Sequence, residues 1–319
     1  MINIENTSLK EKAKMKKPTF ILLVALTINA QETEFPKLTG PYLGQKPPGI
    51  SPEVFAPGIV STVSHEFSSC FSPDGTEFYF TRRHPELNQT VIMVSKLVNE
   101  VWTEPDVAPF VENQFSFEPW VTPDNKRLYF QSGKPIPGQP GPPMNVLYVE
   151  RQGTEWGEPI SPGSPFNPAK AMHISSTIDG TIYTTDISGG PGTECLAIIK
   201  KVNGEYVNLE KLGYPLDNEK QSMHPYISAD ESYIIFGATK SVKEINKVLF
   251  YSFKNEDGKW SEPKEIDLGI NAGQPFITFD GNYLFFTSGE HGKGDIFWVS
   301  TKILDELRPK KIDTQKKSK

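Results

Sequence analysis

Cysteine is scarce in this chain, with two thiols, Cys70 and Cys195, in 319 residues. That excludes a small disulfide-stapled scaffold, and no Cys-x-x-Cys pair is present for metal binding or thiol chemistry. The two fall in different repeats at different repeat positions, so both read as buried thiols rather than a bridge. Basic charge is also short. The formal net charge is -6, whereas a phosphate-binding protein needs a basic face, so nucleic acid is not expected as a partner. No P-loop, dinucleotide fingerprint, EF-hand loop or Gly-x-Ser-x-Gly elbow appears, which removes the usual signatures of nucleotide chemistry and of serine hydrolases.

Long apolar runs are missing as well. The one candidate, Pro18 to Ala30 (PTFILLVALTINA), follows the basic Met15-Lys16-Lys17 and is short for a membrane span. Ile28 and Ala30 stand at the −3 and −1 positions of a cleavage site before Gln31, so residues 1–30 read as a signal peptide region, with Met15 as an alternative start. No cysteine stands at the new N-terminus for lipidation. The expected mature chain is periplasmic or secreted, monomeric and without a membrane span.

Proline is plentiful, at 28 residues, which suits a protein of many loops better than a helical one. The dominant feature is a repeat. Its copies are Ser68–Phe80 (SSCFSPDGTEFYF), Glu118–Phe130 (EPWVTPDNKRLYF), a shortened His173–Tyr183 (HISSTIDGTIY), His224–Phe236 (HPYISADESYIIF) and Gln274–Phe286 (QPFITFDGNYLFF). The pivot aspartates are Asp74, Asp124, Asp179, Asp230 and Asp280, so successive differences are 50, 55, 51 and 50 residues.

Turn-forming residues at the pivot, flanked by β-branched and aromatic residues, predict a hairpin in each copy. A third strand follows at 91–96, 146–150, 196–200, 248–253 and 296–300. A fourth begins near Trp102, Trp156, Tyr206 and Trp260, usually as Trp-x-Glu-Pro. Four short strands every fifty residues or so, without helical periodicity, describe an all-β, five-bladed β-propeller of four-stranded antiparallel blades. The last blade lacks its fourth strand, and residues 51–60 (SPEVFAPGIV) are expected to close the ring there. The propeller is assigned to 51–307, with a linker at 31–50 and a basic disordered tail at 308–319.

The Ser-Pro-Asp-Gly pivot followed by an aromatic strand resembles the TolB-type, WD40-like β-propeller repeat over nearly all of the mature chain. The proline is lost in the last three copies and the glycine in two. The resemblance implies a propeller and says little about chemistry, because that family spans interaction modules, scaffolds and relatives of enzymes.

The repeat also places residues around the axis. Six before each pivot stand Ser68, Glu118, His173, His224 and Gln274, two of the five histidines at equivalent positions on adjacent blades. His65 precedes the first hairpin, and Trp120 and Tyr226 stand four before their pivots. Arg82, Arg83, His84 and Lys240 follow second strands and add positive charge to the same rim. An anionic ligand with Arg as its carboxylate partner fits that mouth, and Trp120 and Tyr226 are expected to stack on sugar rings.

Two mechanisms fit. In one, His173, His224 and Gln274 hold a divalent metal (Mn²⁺ or Ca²⁺), which is similar to the His/Gln metal site of propeller-fold oligogalacturonate lyases. In the other no metal is needed: Arg neutralises a uronate carboxylate and His173, His224, His65 or Tyr226 moves the protons of a β-elimination. The substrate in either case is an acidic oligosaccharide, and the enzyme a lyase or a dehydratase. The competing reading is a non-catalytic binding or scaffold propeller of the cell envelope.

Overall fold

The pivots are built from one piece of side-chain chemistry. Ser72, Thr122, Thr177 and Thr278 each donate a hydroxyl hydrogen bond to Oδ1 of the aspartate two residues on. The same Oδ1 accepts the backbone N–H two residues further along, at 3.0–3.1 Å in Thr76, Lys126, Thr181, Ser232 and Asn282. The residue after the aspartate is left-handed in all five turns, as Gly75, Asn125, Gly180, Glu231 and Gly281. Glycine and asparagine take that conformation readily. Glu231 is the exception, and its carboxylate accepts from Tyr183 Oη at 2.6 Å.

The structure is a computed structural model that describes residues 34–111, 114–138, 144–168, 170–217, 221–239, 247–290 and 292–308. The expected signal peptide region, Lys240, and the tail after 308 lie outside the described residues. The described residues from Lys37 on form one compact unit, and within it five antiparallel sheets follow the five repeats. The inner hairpins are Glu66–Phe71 with Glu77–His84, Ser116–Val121 with Arg127–Ser132, Ala171–Ser176 with Ile182–Asp186, Ser222–Ile227 with Tyr233–Thr239, and Gly273–Ile277 with Tyr283–Glu290. Third strands at Gln89–Val98, Asn145–Gln152, Cys195–Val202, Lys247–Phe253 and Lys293–Ser300 enclose the expected ones. Each inner strand packs against the inner strand of the next blade, and the fifth against the first. This is a five-bladed propeller.

In blades two to four the aromatic residue that opens the fourth strand contacts the blade before. Trp156 Nε1 donates to Tyr79 Oη at 2.6 Å, Tyr206 Oη meets Tyr129 Oη at 3.1 Å, and Trp260 lies edge-on to Tyr183. A buried aromatic that also satisfies its polar atom contributes both area and direction.

Residues 53–62 seat against the last and first blades. Glu53–Val54 pairs antiparallel with the third strand of the fifth blade, opposite Trp298 and Phe297. Phe55 is wholly buried among Phe71, Phe78, Phe285 and Trp298. Within the expected linker, Leu38–Thr39 pairs with Val101–Trp102 on the outside of the first blade. Trp102 Nε1 there donates to the Gly40 carbonyl at 2.7 Å. The isolated aromatic of a blade edge recruited a strand that the sequence does not signal. Cys70 and Cys195 are both free thiols, the first buried and the second half-buried, and burial pushes the Cys70 thiol up to about 12. Among the described residues no helix is long and apolar enough to cross a membrane.

Candidate functional site

The residue six before each pivot has the same backbone anomaly in every blade. Ser68, Glu118, His173, His224 and Gln274 have φ of 45°, 56°, 56°, 54° and 48°, a left-handed conformation that costs a non-glycine residue about 1–2 kcal/mol. At each of them the pairing with the second strand slips, which makes it a β-bulge. Three of the freed N–H groups are taken by a threonine of the preceding blade. Ser68 donates to Thr287 Oγ1 at 3.0 Å, Glu118 to Thr81 at 3.0 Å and His224 to Thr185 at 2.9 Å. Strained backbone repeated around one axis is the kind of cost found where side chains must be aimed.

What is aimed is a buried carboxylate and two imidazoles. Glu118 is 3% exposed, and His173 and His224 are each 7% exposed. Glu118 Oε1 lies 3.2 Å from His224 Nε2 and 3.8 Å from His173 Nδ1. The two rings are edge-to-face at 5.1 Å. Glu118 Oε2 and the Nδ1 atoms of both histidines are buried without a hydrogen-bond partner. Burial alone would raise the Glu118 carboxyl, but His224 and His173 outweigh it and hold it well below the ordinary range. Burial also lowers His224, so its ring offers a lone pair at neutral pH.

Beside this group a cleft of about 700 Å³ opens at the same end of the axis, lined by His65, Phe67, Arg83, Lys247, Asn271, Gly273, Gln274 and Thr287, among others. Arg83 is exposed and has no ion-pair partner among the described residues. Lys247 is drawn into the protein, where burial lowers its ammonium, against the pull of Glu194 and Glu118; its Nζ donates to Met223 Sδ at 2.7 Å. An ammonium partly stripped of water is the place where a ligand carboxylate gains most. His65 Nδ1 accepts the Gly294 N–H at 2.8 Å, so the neutral ring carries its hydrogen on Nε2. A Cβ on Gly294 would stand 3.1 Å from the His65 ring, so glycine is what admits the imidazole there.

The structure separates several residues that the repeat placed on one rim. Trp120 and Tyr226 do not face the cleft. With Phe276 they form a buried cluster, ring centres 5.9–6.1 Å apart, that fills the axis. Trp120 Nε1 is satisfied by Ser176 Oγ at 3.0 Å, and burial raises the Tyr226 phenol far above its ordinary value. Neither stacking on a sugar nor proton abstraction suits them. Arg82 is likewise withdrawn: Nε pairs with Glu66 Oε1 at 2.8 Å and Nη2 donates to the carbonyls of Ile59 and Val60 at 2.8 and 3.0 Å. It clamps the N-terminal segment instead of a ligand. His84 Nδ1 accepts the Leu87 N–H at 3.4 Å within its own loop. The expected metal set does not converge either. Gln274 lies in the cleft while His173 and His224 face Glu118, so each imidazole already has a carboxylate as its neighbour. Among the described residues no group of three His, Cys, Asp or Glu side chains is placed to hold a metal.

Lys247, Phe67, Thr287 and Gly273 belong to the cleft and were not read from the sequence. A signal for Gly273 exists. Seven before the pivot the blades carry Phe67, Phe117, Met172, Met223 and Gly273, four bulky side chains and a gap. A Cβ at Gly273 would meet nothing within 4 Å. The missing side chain is what opens the cleft.

No protein-family model and no curated protein sequence matches the chain. Among solved structures it is similar to a glycoside hydrolase, at 11% identity over 87% of this chain and 96% of that one, with a TM-score of 0.50. A putative TolB from Agrobacterium tumefaciens shares 15% identity over 72% of both chains, with a TM-score of 0.46. An oligogalacturonate lyase in complex with manganese shares 12% over 74% of this chain and 90% of that one, at 0.35. At such identities the likeness is one of backbone architecture, and the chemistry has to be argued from the side chains.

Proposed function

We propose that this propeller is an exported carbohydrate-active enzyme that draws a uronate residue of an acidic oligosaccharide into the axial cleft and cleaves it by β-elimination. The observation that carries the reading is the buried Glu118 carboxylate facing two imidazoles beside a cleft that offers Arg83 and Lys247. The two cations receive the uronate carboxylate. Neutralising it acidifies the proton at C5. His224 is assigned as the base, with Glu118 stabilising the imidazolium through Nε2 and the proton received on Nδ1, a buried atom that ligand entry has to uncover. The C5–H electron pair becomes the C4–C5 double bond as the C4–O bond breaks, and the departing oxygen, hydrogen-bonded by His65 Nε2–H, takes its proton from solvent. A departing sugar makes the enzyme a lyase, and a departing hydroxyl a dehydratase.

The 7% exposure of His173 and His224 favours a second reading, a binding propeller of the cell envelope that uses the same cleft without turnover. Both readings need the cleft and only one needs the imidazoles. Incubation with a panel of uronate oligosaccharides, followed by the ultraviolet absorbance of the conjugated product, separates them. The expected result is a rising signal that Arg83→Ala weakens. Gly273→Met, which needs no backbone change because φ at Gly273 is not left-handed, should block both turnover and binding. Calorimetric binding without any absorbance change would favour the binding module. Absence of both would sink the acidic-sugar reading.

A further inference from the structure

Nine residues before the pivots, the first and second blades present His65 and Phe115. The first lines the cleft. The second is a phenylalanine left 38% exposed at the corresponding place on the next blade. Between them runs an unbroken series of rings. His65 stacks on Phe67 at 4.9 Å, Phe67 meets Phe117 at 6.4 Å, and Phe117 meets Phe115 at 5.2 Å.

Phe115 is also held from beneath. Gly133 donates its N–H to the Phe115 carbonyl at 2.8 Å, and a Cβ on Gly133 would stand 3.2–3.3 Å from the Phe115 side chain. An exposed aromatic side chain seated on a glycine backbone loses little entropy when a ligand covers it. It also offers a flat apolar face beside polar surroundings, which suits the C–H face of a pyranose.

We infer that this ring series is an extended subsite, so that the cationic cleft anchors one uronate and Phe115 carries a neighbouring sugar of the same chain. The inference rests on the acidic-oligosaccharide reading of the cleft and adds a length requirement and a direction, from blade five across blade one toward blade two. The cleft supplies charge recognition and Phe115 supplies recognition of a sugar face, while Phe117, 8% exposed, joins the two from within the blade. The ligand is therefore an oligomer of at least two residues, and a free uronate fills only the cleft.

The test is calorimetric titration of the full chain with galacturonate and mannuronate oligomers of increasing length, for the wild type, Phe115→Leu and Phe115→Trp. Affinity is expected to rise from monomer to oligomer. Phe115→Leu should weaken the oligomer about tenfold and leave the monomer unchanged, while Phe115→Trp restores oligomer binding. Gly133→Ala, which displaces the ring without removing it, should act like the leucine variant, with circular dichroism and melting temperature checking that each protein is folded. Binding that is equal at every length, or oligomer affinity unchanged in Phe115→Leu, overturns the subsite and leaves the cleft reading standing. No binding at any length overturns both.

Discussion

Glu118→Gln is expected to reduce product formation by roughly 10²–10⁴-fold, the usual span of a general acid–base contribution, while the protein stays folded and still binds its ligand. The amide keeps the volume of the side chain in a site that is 3% exposed. It removes the charge that faces His224 at 3.2 Å, and with it the stabilisation of the imidazolium that forms when the ring accepts a proton. Near-normal turnover in the variant would remove Glu118 from the mechanism.

The same substitution carries a signature in pH. The Glu118 carboxyl sits well below its ordinary value of 4.5 because the two imidazoles outweigh its burial. The native state therefore binds fewer protons at this group than the unfolded chain does. Stability from the group is fully present above about pH 4.5 and is lost as pH falls toward the depressed native value. Melting temperatures measured from neutral pH down to about pH 3 should show the wild type losing its advantage over Glu118→Gln as the acid range is entered. Parallel curves would mean that the carboxylate is not held ionised by its neighbours.

Glu66→Ala is expected to be the most damaging substitution to the fold, at about 3–5 kcal/mol. Glu66 is completely buried and accepts from Arg82 Nε at 2.8 Å, Thr62 Oγ1 at 2.7 Å and the Thr62 N–H at 3.1 Å. Removing it strands a guanidinium that is itself 13% exposed and loosens the carbonyls of Ile59 and Val60. That stretch follows Phe55, which packs against rings of the first and last blades, so those contacts are expected to weaken. Replacing both partners, as Glu66→Leu with Arg82→Met, should recover much of the loss, since an apolar pair leaves no charge unpaired. Chemical denaturation measures both. A cost below about 1 kcal/mol for Glu66→Ala would put the pair in the class of exposed ion pairs.

Much of this architecture was legible in the residues because hairpins are local. A Ser or Thr, an Asp and a left-handed residue make the same turn wherever they fall, so five copies announced five blades. The outer Trp and Tyr residues were legible for a related reason, recurring where neighbouring blades meet. Leu38–Thr39 was not, since a two-residue strand has no periodicity to read. The bulges were not either. Alternation along a strand predicted that the minus-six and minus-four residues face the axis, yet nothing in a string of letters marks a slip of register.

By itself the sequence determined the repeat, its turns, the order of the strands and the presence of Glu118, His173 and His224 at equivalent places on adjacent blades. Tertiary structure alone decided which of the rim residues meet. It drew Trp120 and Tyr226 into a plug, turned Arg82 toward Glu66, and brought Lys247, Gly273 and Phe67 to the cleft. The physical reason is that contacts across the axis join blades from about fifty to about two hundred residues apart, where side-chain size and charge balance, rather than local propensity, select the partner.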